Sequence, residues 1–149
     1  MRGAQVAVET RETASGTMVR EQTYRREGRH FVFVYGTLRK GSWNHSLLRT
    51  SRCVGKGLTR KRYALYADSV PYVVKDEAVA QIAGEVYEVN DSTLKRLDRL
   101  ERHPDWFERE LIAVVLEDGS DVIAWMYFYP KPRGKPIPSG DFFCDVEPS

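Results

Sequence analysis

Two cysteines in 149 residues, Cys53 and Cys144, are too few for a disulfide framework and lack the short spacing of a zinc site, so both are expected to be free thiols. Long apolar runs are missing as well. No stretch approaches the roughly 20 apolar residues of a membrane-spanning helix, and the first thirty residues show no charged-then-apolar leader; the expected compartment is the cytosol. Nor is there an excess of charge of one sign on the part of the chain that looks folded. Residues 1–30 hold six arginines and four glutamates, which leaves 17 basic and 17 acidic side chains in residues 31–149. Such balance argues against a nucleic-acid reader. His30, His45 and His103 stand far apart without ligand-like neighbours, so no metal is expected. G-x-G-x-x-G and G-x-S-x-G are both absent, and Gly41 is followed by Ser42-Trp43 rather than by the Lys-Ser/Thr of a phosphate loop. Dinucleotide binding, a serine nucleophile elbow and a nucleotide phosphate loop therefore have no support.

Apolar residues make up 42% of the chain, enough at this length for one core. Residues 1–30 carry almost no apolar periodicity and read as a flexible N-terminal extension to a domain spanning 31–149. That domain opens with FVFVY, a continuous β-favouring run suited to a strand covered on both faces. GTLRKG then reads as a turn bracketed by Gly36 and Gly41, and SWNHSLLRT as a short helix or turn. Strands are predicted over residues 62–67, 72–75, 82–89, 108–116 and 122–129, with Asp118-Gly119 as a hairpin turn between the last two. One helix is predicted over 93–102, capped from Asn90, Asp91 or Ser92 and stopped by Pro104. The tail after Pro130 holds four prolines and should run extended. The sum is a small mixed-sheet or barrel-like α+β domain.

The helix carries an acid on the wrong face. On a helical wheel Glu101 falls between Leu94 and Leu97, inside the apolar arc, with Asp98 on its shoulder. An ionised carboxylate facing a core is costly unless it is paired, hydrogen-bonded or facing a cavity. A last-turn salt bridge is one reading; a carboxyl of raised pKa, suited to general acid-base work, is the other. Glu85 and Glu88 sit on a neighbouring strand, where alternation lets at most one of them point inward. The turn after FVFVY would offer backbone N–H groups to an anion or oxyanion. Six basic residues and no acid lie between Arg49 and Arg62, with Tyr63 and Tyr66 following, so an RNA-facing strip is a weaker alternative to a solvated face.

The segments FVFVYGTLRKGSWNHSLL, GEVYEV, LDRLERHPDWFERE, AWMYFY and IPSGDFF, in that order, resemble the gamma-glutamylcyclotransferase-like family, in particular its gamma-glutamylamine cyclotransferase, AIG2-like branch. The resemblance implies an α+β fold around a small mixed β-barrel with few short helices. It places the catalytic acid on Glu101, the residue the wheel singles out. It also implies a substrate-binding loop of Tyr35, Gly36, Thr37 and Leu38 and a pocket tyrosine at Tyr127, with Tyr129 as the other candidate. Phe107 stands where relatives often have tyrosine. The implied reaction converts a gamma-glutamyl amine or amide to 5-oxoproline and a free amine, on a small-molecule substrate and with no cofactor or metal. A non-catalytic member that binds a small carboxylate is the alternative.

Overall fold

A computed structural model describes residues 5–6, 25–36, 38–41 and 44–145. Five strands close into a barrel: β1 (Arg29–Val34), β2 (Arg52–Ala67), β4 (Ala80–Asn90), β5 (Glu108–Leu116) and β6 (Asp121–Phe128). A further strand, β3 (Pro71–Val74), forms a hairpin on the far end of β2. Around the barrel the order is β2-β4-β1-β6-β5, and the ring closes where Gly57, Leu58 and Thr59 of β2 pair with Leu116, Val115 and Val114 of β5. Only β1 and β6 run parallel; the other contacts are antiparallel. Among the described residues no helix is long and apolar enough to cross a membrane.

Strand β1 begins at Arg29, two residues before the apolar run that signals it. Its alternation then serves two cores. Phe31 and Phe33, with Tyr35 just beyond the strand, fill the barrel interior beside Val86, Val114, Val122 and Met126. Val32 and Val34 face outward, beneath a second apolar layer that includes Leu94 and Leu97. Alternation holds for the two acids, with Glu88 opposite Phe31 on the interior face and Glu85 opposite Val34 on the outer one. Both are buried, because β4 is covered on both faces. Glu88 accepts from Arg52 Nε at 3.1 Å, and Glu85 lies under the loop that follows β1.

Strand β2 extends ten residues upstream of the predicted 62–67, through the basic stretch. Its pairing with β4 shifts register between Cys53 and Gly55 and again between Leu58 and Arg62, as a strand must when it turns from the barrel wall to join β3. Part of the basic strip is paired: Arg52 meets Glu88 and Arg60 meets Asp121. Cys53 is an exposed free thiol, while the side chain of Cys144 lies outside the described residues.

Helix α1 (Asp91–Glu101) starts where Asn90 Oδ1 accepts from the Thr93 N–H at 2.8 Å. It ends at Arg102, in the left-handed region at φ 56°. The proline-rich tail is not wholly extended. Lys135–Pro136 pairs with β2, and Phe142–Asp145 makes one helical turn that seats Phe142 in the barrel core.

Candidate active site

The loop after β1 is pinned from behind. Gly36 lies so close to Pro71 that a Cβ there would fall 2.3 Å from the proline Cγ, so the backbone passes only as glycine. The Arg39 N–H donates to the Gly36 carbonyl at 2.9 Å, and the Lys40 N–H donates to Glu85 Oε1 at 2.9 Å. His45 donates from Nδ1 to the Leu38 carbonyl at 3.0 Å, which fixes its tautomer. Below the loop, Arg39 Nη1 donates to Asp141 Oδ1 at 2.8 Å, and Arg39 Nε lies 3.7 Å from Glu85 Oε2. Glu85 Oε1 also accepts from the Tyr87 hydroxyl at 2.9 Å. The guanidinium rests 4.0 Å over the Phe143 ring.

In front of the loop lies a cavity of about 360 Å³. Tyr35, Gly36 and Leu38 form one side, Glu101 and Tyr127 another, and Tyr72, Phe107 and Pro71 supply an apolar wall. Leu100 and Trp106, 41% and 46% exposed, stand at its rim. Phe107 stacks on Tyr72 with ring centroids 5.8 Å apart and planes 9° from parallel. Phe107 thus packs as apolar wall.

Glu101 is the acid of this cavity. The residue keeps some exposure, but its carboxyl is desolvated, and no described residue donates a hydrogen bond to that carboxyl. Burial alone pushes it from its ordinary 4.5 up to about 7. Asp98, one turn earlier, meets the opposite fate. Burial would raise it too, but hydrogen bonds from Arg109 and Tyr127, together with the Arg109 charge, outweigh that and hold it below its ordinary range. Arg109 reaches Asp98 through Nε at 2.7 Å and Nη2 at 3.1 Å, and the Tyr127 hydroxyl donates at 2.6 Å. Burial also raises the pKa of both Tyr35 and Tyr127; the Glu101 charge adds to each, and at Tyr127 so do the hydrogen bond and charge of Asp98.

Of the residues singled out from sequence, Tyr35, Gly36, Leu38, Glu101 and Tyr127 come together around one cavity. Thr37 lies outside the described residues. Tyr129 does not line the cavity but packs behind it on Tyr72 and Phe107. Sequence reading missed Tyr72 and the bracing of Tyr127 by Asp98 and Arg109; the shoulder position of Asp98 was the only signal for the latter. Nothing in the sequence pointed to the Arg39–Glu85–Asp141 cluster. Among the described residues no three His, Cys, Asp or Glu side chains gather as a metal site requires.

The family model for gamma-glutamyl cyclotransferase, AIG2-like, matches residues 32–144. A Methanocaldococcus jannaschii protein with a provisional gamma-glutamylcyclotransferase name is 50% identical over 113 residues, covering 75% of this chain and 94% of that one. The gamma-L-glutamyl-butirosin B gamma-glutamyl cyclotransferase of Niallia circulans is 32% identical over 113 residues, covering 69% and 70%. The crystal structure of an uncharacterized Pyrococcus horikoshii protein superposes with a TM-score of 0.60 at 35% identity, over 76% of this chain and 89% of that one. With the mixed five-stranded barrel, the loop after its first strand and the acid at its helix end, the chain belongs to the gamma-glutamyl cyclotransferase, AIG2-like family.

Proposed function

We propose that this protein converts a γ-glutamyl amine or amide to 5-oxoproline and a free amine, with Glu101 moving the protons. The observation that carries the reading is a carboxyl without a partner among the described residues, desolvated to a pKa of about 7, facing a cavity of about 360 Å³ beside a glycine loop. A γ-glutamyl group brings its own nucleophile. Its α-amine attacks the γ-carbonyl, a C–N bond closes a five-membered ring, and the C–N bond to the leaving amine breaks. Glu101 takes a proton from the α-ammonium and returns one to the departing nitrogen, a role worth about 10²- to 10⁴-fold. A base with a pKa near working pH can do both.

The loop from Tyr35 to Leu38, with Thr37, is the proposed holder of the substrate carboxylate or the oxyanion, at about 3 kcal/mol for one well-aimed donor. The Arg39 and Lys40 N–H groups are already committed to Gly36 and Glu85, so the donors would come from earlier in the loop. A cavity this size would fold the substrate so that amine and carbonyl meet. The name of the Niallia circulans relative, which specifies a γ-glutamyl group on butirosin B, supports an amine leaving group. We assign this chemistry to residues 31–149, with 1–30 as an extension outside it.

The test is mass-spectrometric detection of 5-oxoproline after incubating the wild type and a Glu101→Gln variant with a panel of γ-glutamyl amines and dipeptides. Product from the wild type alone is expected. Ligand binding without product from any member would instead assign a small-carboxylate-binding protein on this fold.

A further inference from the structure

Of the three tyrosines on the cavity wall, Tyr35 and Tyr127 have spent their hydroxyl hydrogens on the protein itself. Tyr35 donates to the Tyr127 carbonyl at 2.7 Å, and Tyr127 donates to Asp98 Oδ1 at 2.6 Å. A phenol has one hydrogen to give and two lone pairs to receive with, so what Tyr127 retains is acceptor capacity. The direction of its bond is fixed, because an ionised carboxylate has no hydrogen to return. Asp98 is also held in place. Arg109 grips it with two donors, at 2.7 and 3.1 Å, while that guanidinium lies 4.2 Å over the Trp125 ring and the Arg109 N–H donates to His103 Nδ1 at 3.3 Å. Neither Asp98 nor Arg109 lines the cavity, and the Asp98 carboxylate meets a lining side chain at the Tyr127 hydroxyl.

We infer that Asp98, braced by Arg109, is a positioning residue that turns the Tyr127 hydroxyl hydrogen out of the cavity, leaving the phenol oxygen to accept a hydrogen bond from the α-ammonium of a γ-glutamyl ligand. This rests on the substrate class proposed above and deepens it. With Glu101 beside it, the Tyr127 oxygen makes that wall an acceptor surface, which selects for a cationic α-amine. It also removes Tyr127 from the candidates for oxyanion donor and leaves that part to the loop backbone.

Two ligands differing only in the α-amine test the inference: γ-glutamyl-n-butylamide and N-butylglutaramate. Affinities are measured by calorimetry in the Glu101→Gln background, where turnover is removed. Asp98→Asn and Tyr127→Phe should each weaken the amine-bearing ligand about tenfold and the deaminated one by less than about twofold. The double variant should be no weaker than either single variant, since both act through one hydroxyl. If Asp98→Asn does not fold, because Arg109 loses its counter-charge, Tyr127→Phe leaves that ion pair in place and carries the two-ligand comparison. Equal losses for both ligands, no loss for either, or effects that add would overturn the inference. Wild-type protein that releases no 5-oxoproline overturns the proposed reaction alone, because the two-ligand comparison still reports whether Tyr127 reads an ammonium. Protein that binds neither ligand overturns both.

Discussion

Behind the glycine loop and in front of it the chain places a carboxyl away from water, and the two are treated in opposite ways. Glu85, at the back, is 4% exposed and receives the Lys40 N–H, the Tyr87 hydroxyl and the nearby charge of Arg39. The Glu101 carboxyl, at the front, receives no hydrogen bond from any described residue, and burial lifts it to about 7. A buried carboxylate whose lone pairs are filled holds structure together, because its charge is stabilised in one geometry. One whose lone pairs are left open can exchange a proton near neutrality, which catalysis needs and stability does not. One acid thus holds the loop from behind, and the other lines the cavity in front of it.

The sharpest break of this contrast is to make each acid neutral in turn. Glu101→Gln should lower 5-oxoproline release by about 10²- to 10⁴-fold while the protein still folds, as read by product formation beside thermal unfolding. Glu85→Gln should do the reverse first. It leaves Arg39, 8% exposed and with its Nε lacking a hydrogen-bond partner, facing a neutral amide, and the expected cost is about 3 kcal/mol in urea unfolding. Equal stability losses for the two variants would erase the distinction.

Gly36→Ala probes the loop between them. The added Cβ would sit 2.3 Å from the Pro71 Cγ, so either the loop or β3 must move. A stability loss of about 1–3 kcal/mol is expected, together with weaker substrate affinity, since the cavity wall moves with the loop. A smaller effect of pH belongs to Glu101. Between about 4.5 and about 7 an unfolded chain releases the Glu101 proton while the folded chain keeps it. Wild-type stability therefore falls as pH rises through that window and levels off above it. Glu101→Gln lacks this penalty, so its advantage over wild type should be absent near pH 4 and reach about 1–2 kcal/mol by pH 8, discounted for the partial exposure of the residue. Melting curves across that pH range check the sign.

Much of this was legible where local pattern and long-range structure agree. FVFVY announces a strand covered on two faces, and the wheel puts Glu101 among leucines because the helix packs its Leu94–Leu97 stripe on the barrel. Legibility failed where the fold overrides local composition. Residues 52–61 look like a basic, glycine-broken segment, yet they form barrel wall because pairing with β4 and β5 outweighs their poor strand propensity. Leu100 belongs to the apolar arc by spacing but is 41% exposed, since the helix ends at the cavity rim. The partners of Arg39 and Tyr127 were beyond reach of the sequence. Asp141 lies 102 residues from Arg39, and Asp98 lies 29 from Tyr127, with nothing in the intervening chain to mark either meeting.

The pH dependence of kcat/KM for 5-oxoproline formation from a γ-glutamyl amine tests most directly whether the open carboxyl does the chemistry. With Glu101 as the base, the logarithm of kcat/KM should climb with unit slope below pH 7, bend near the raised value of about 7, and stay level until the substrate's own α-amine titrates. A profile already flat from pH 5 upward would contradict it, since the group moving the proton would then not be the desolvated acid of the cavity.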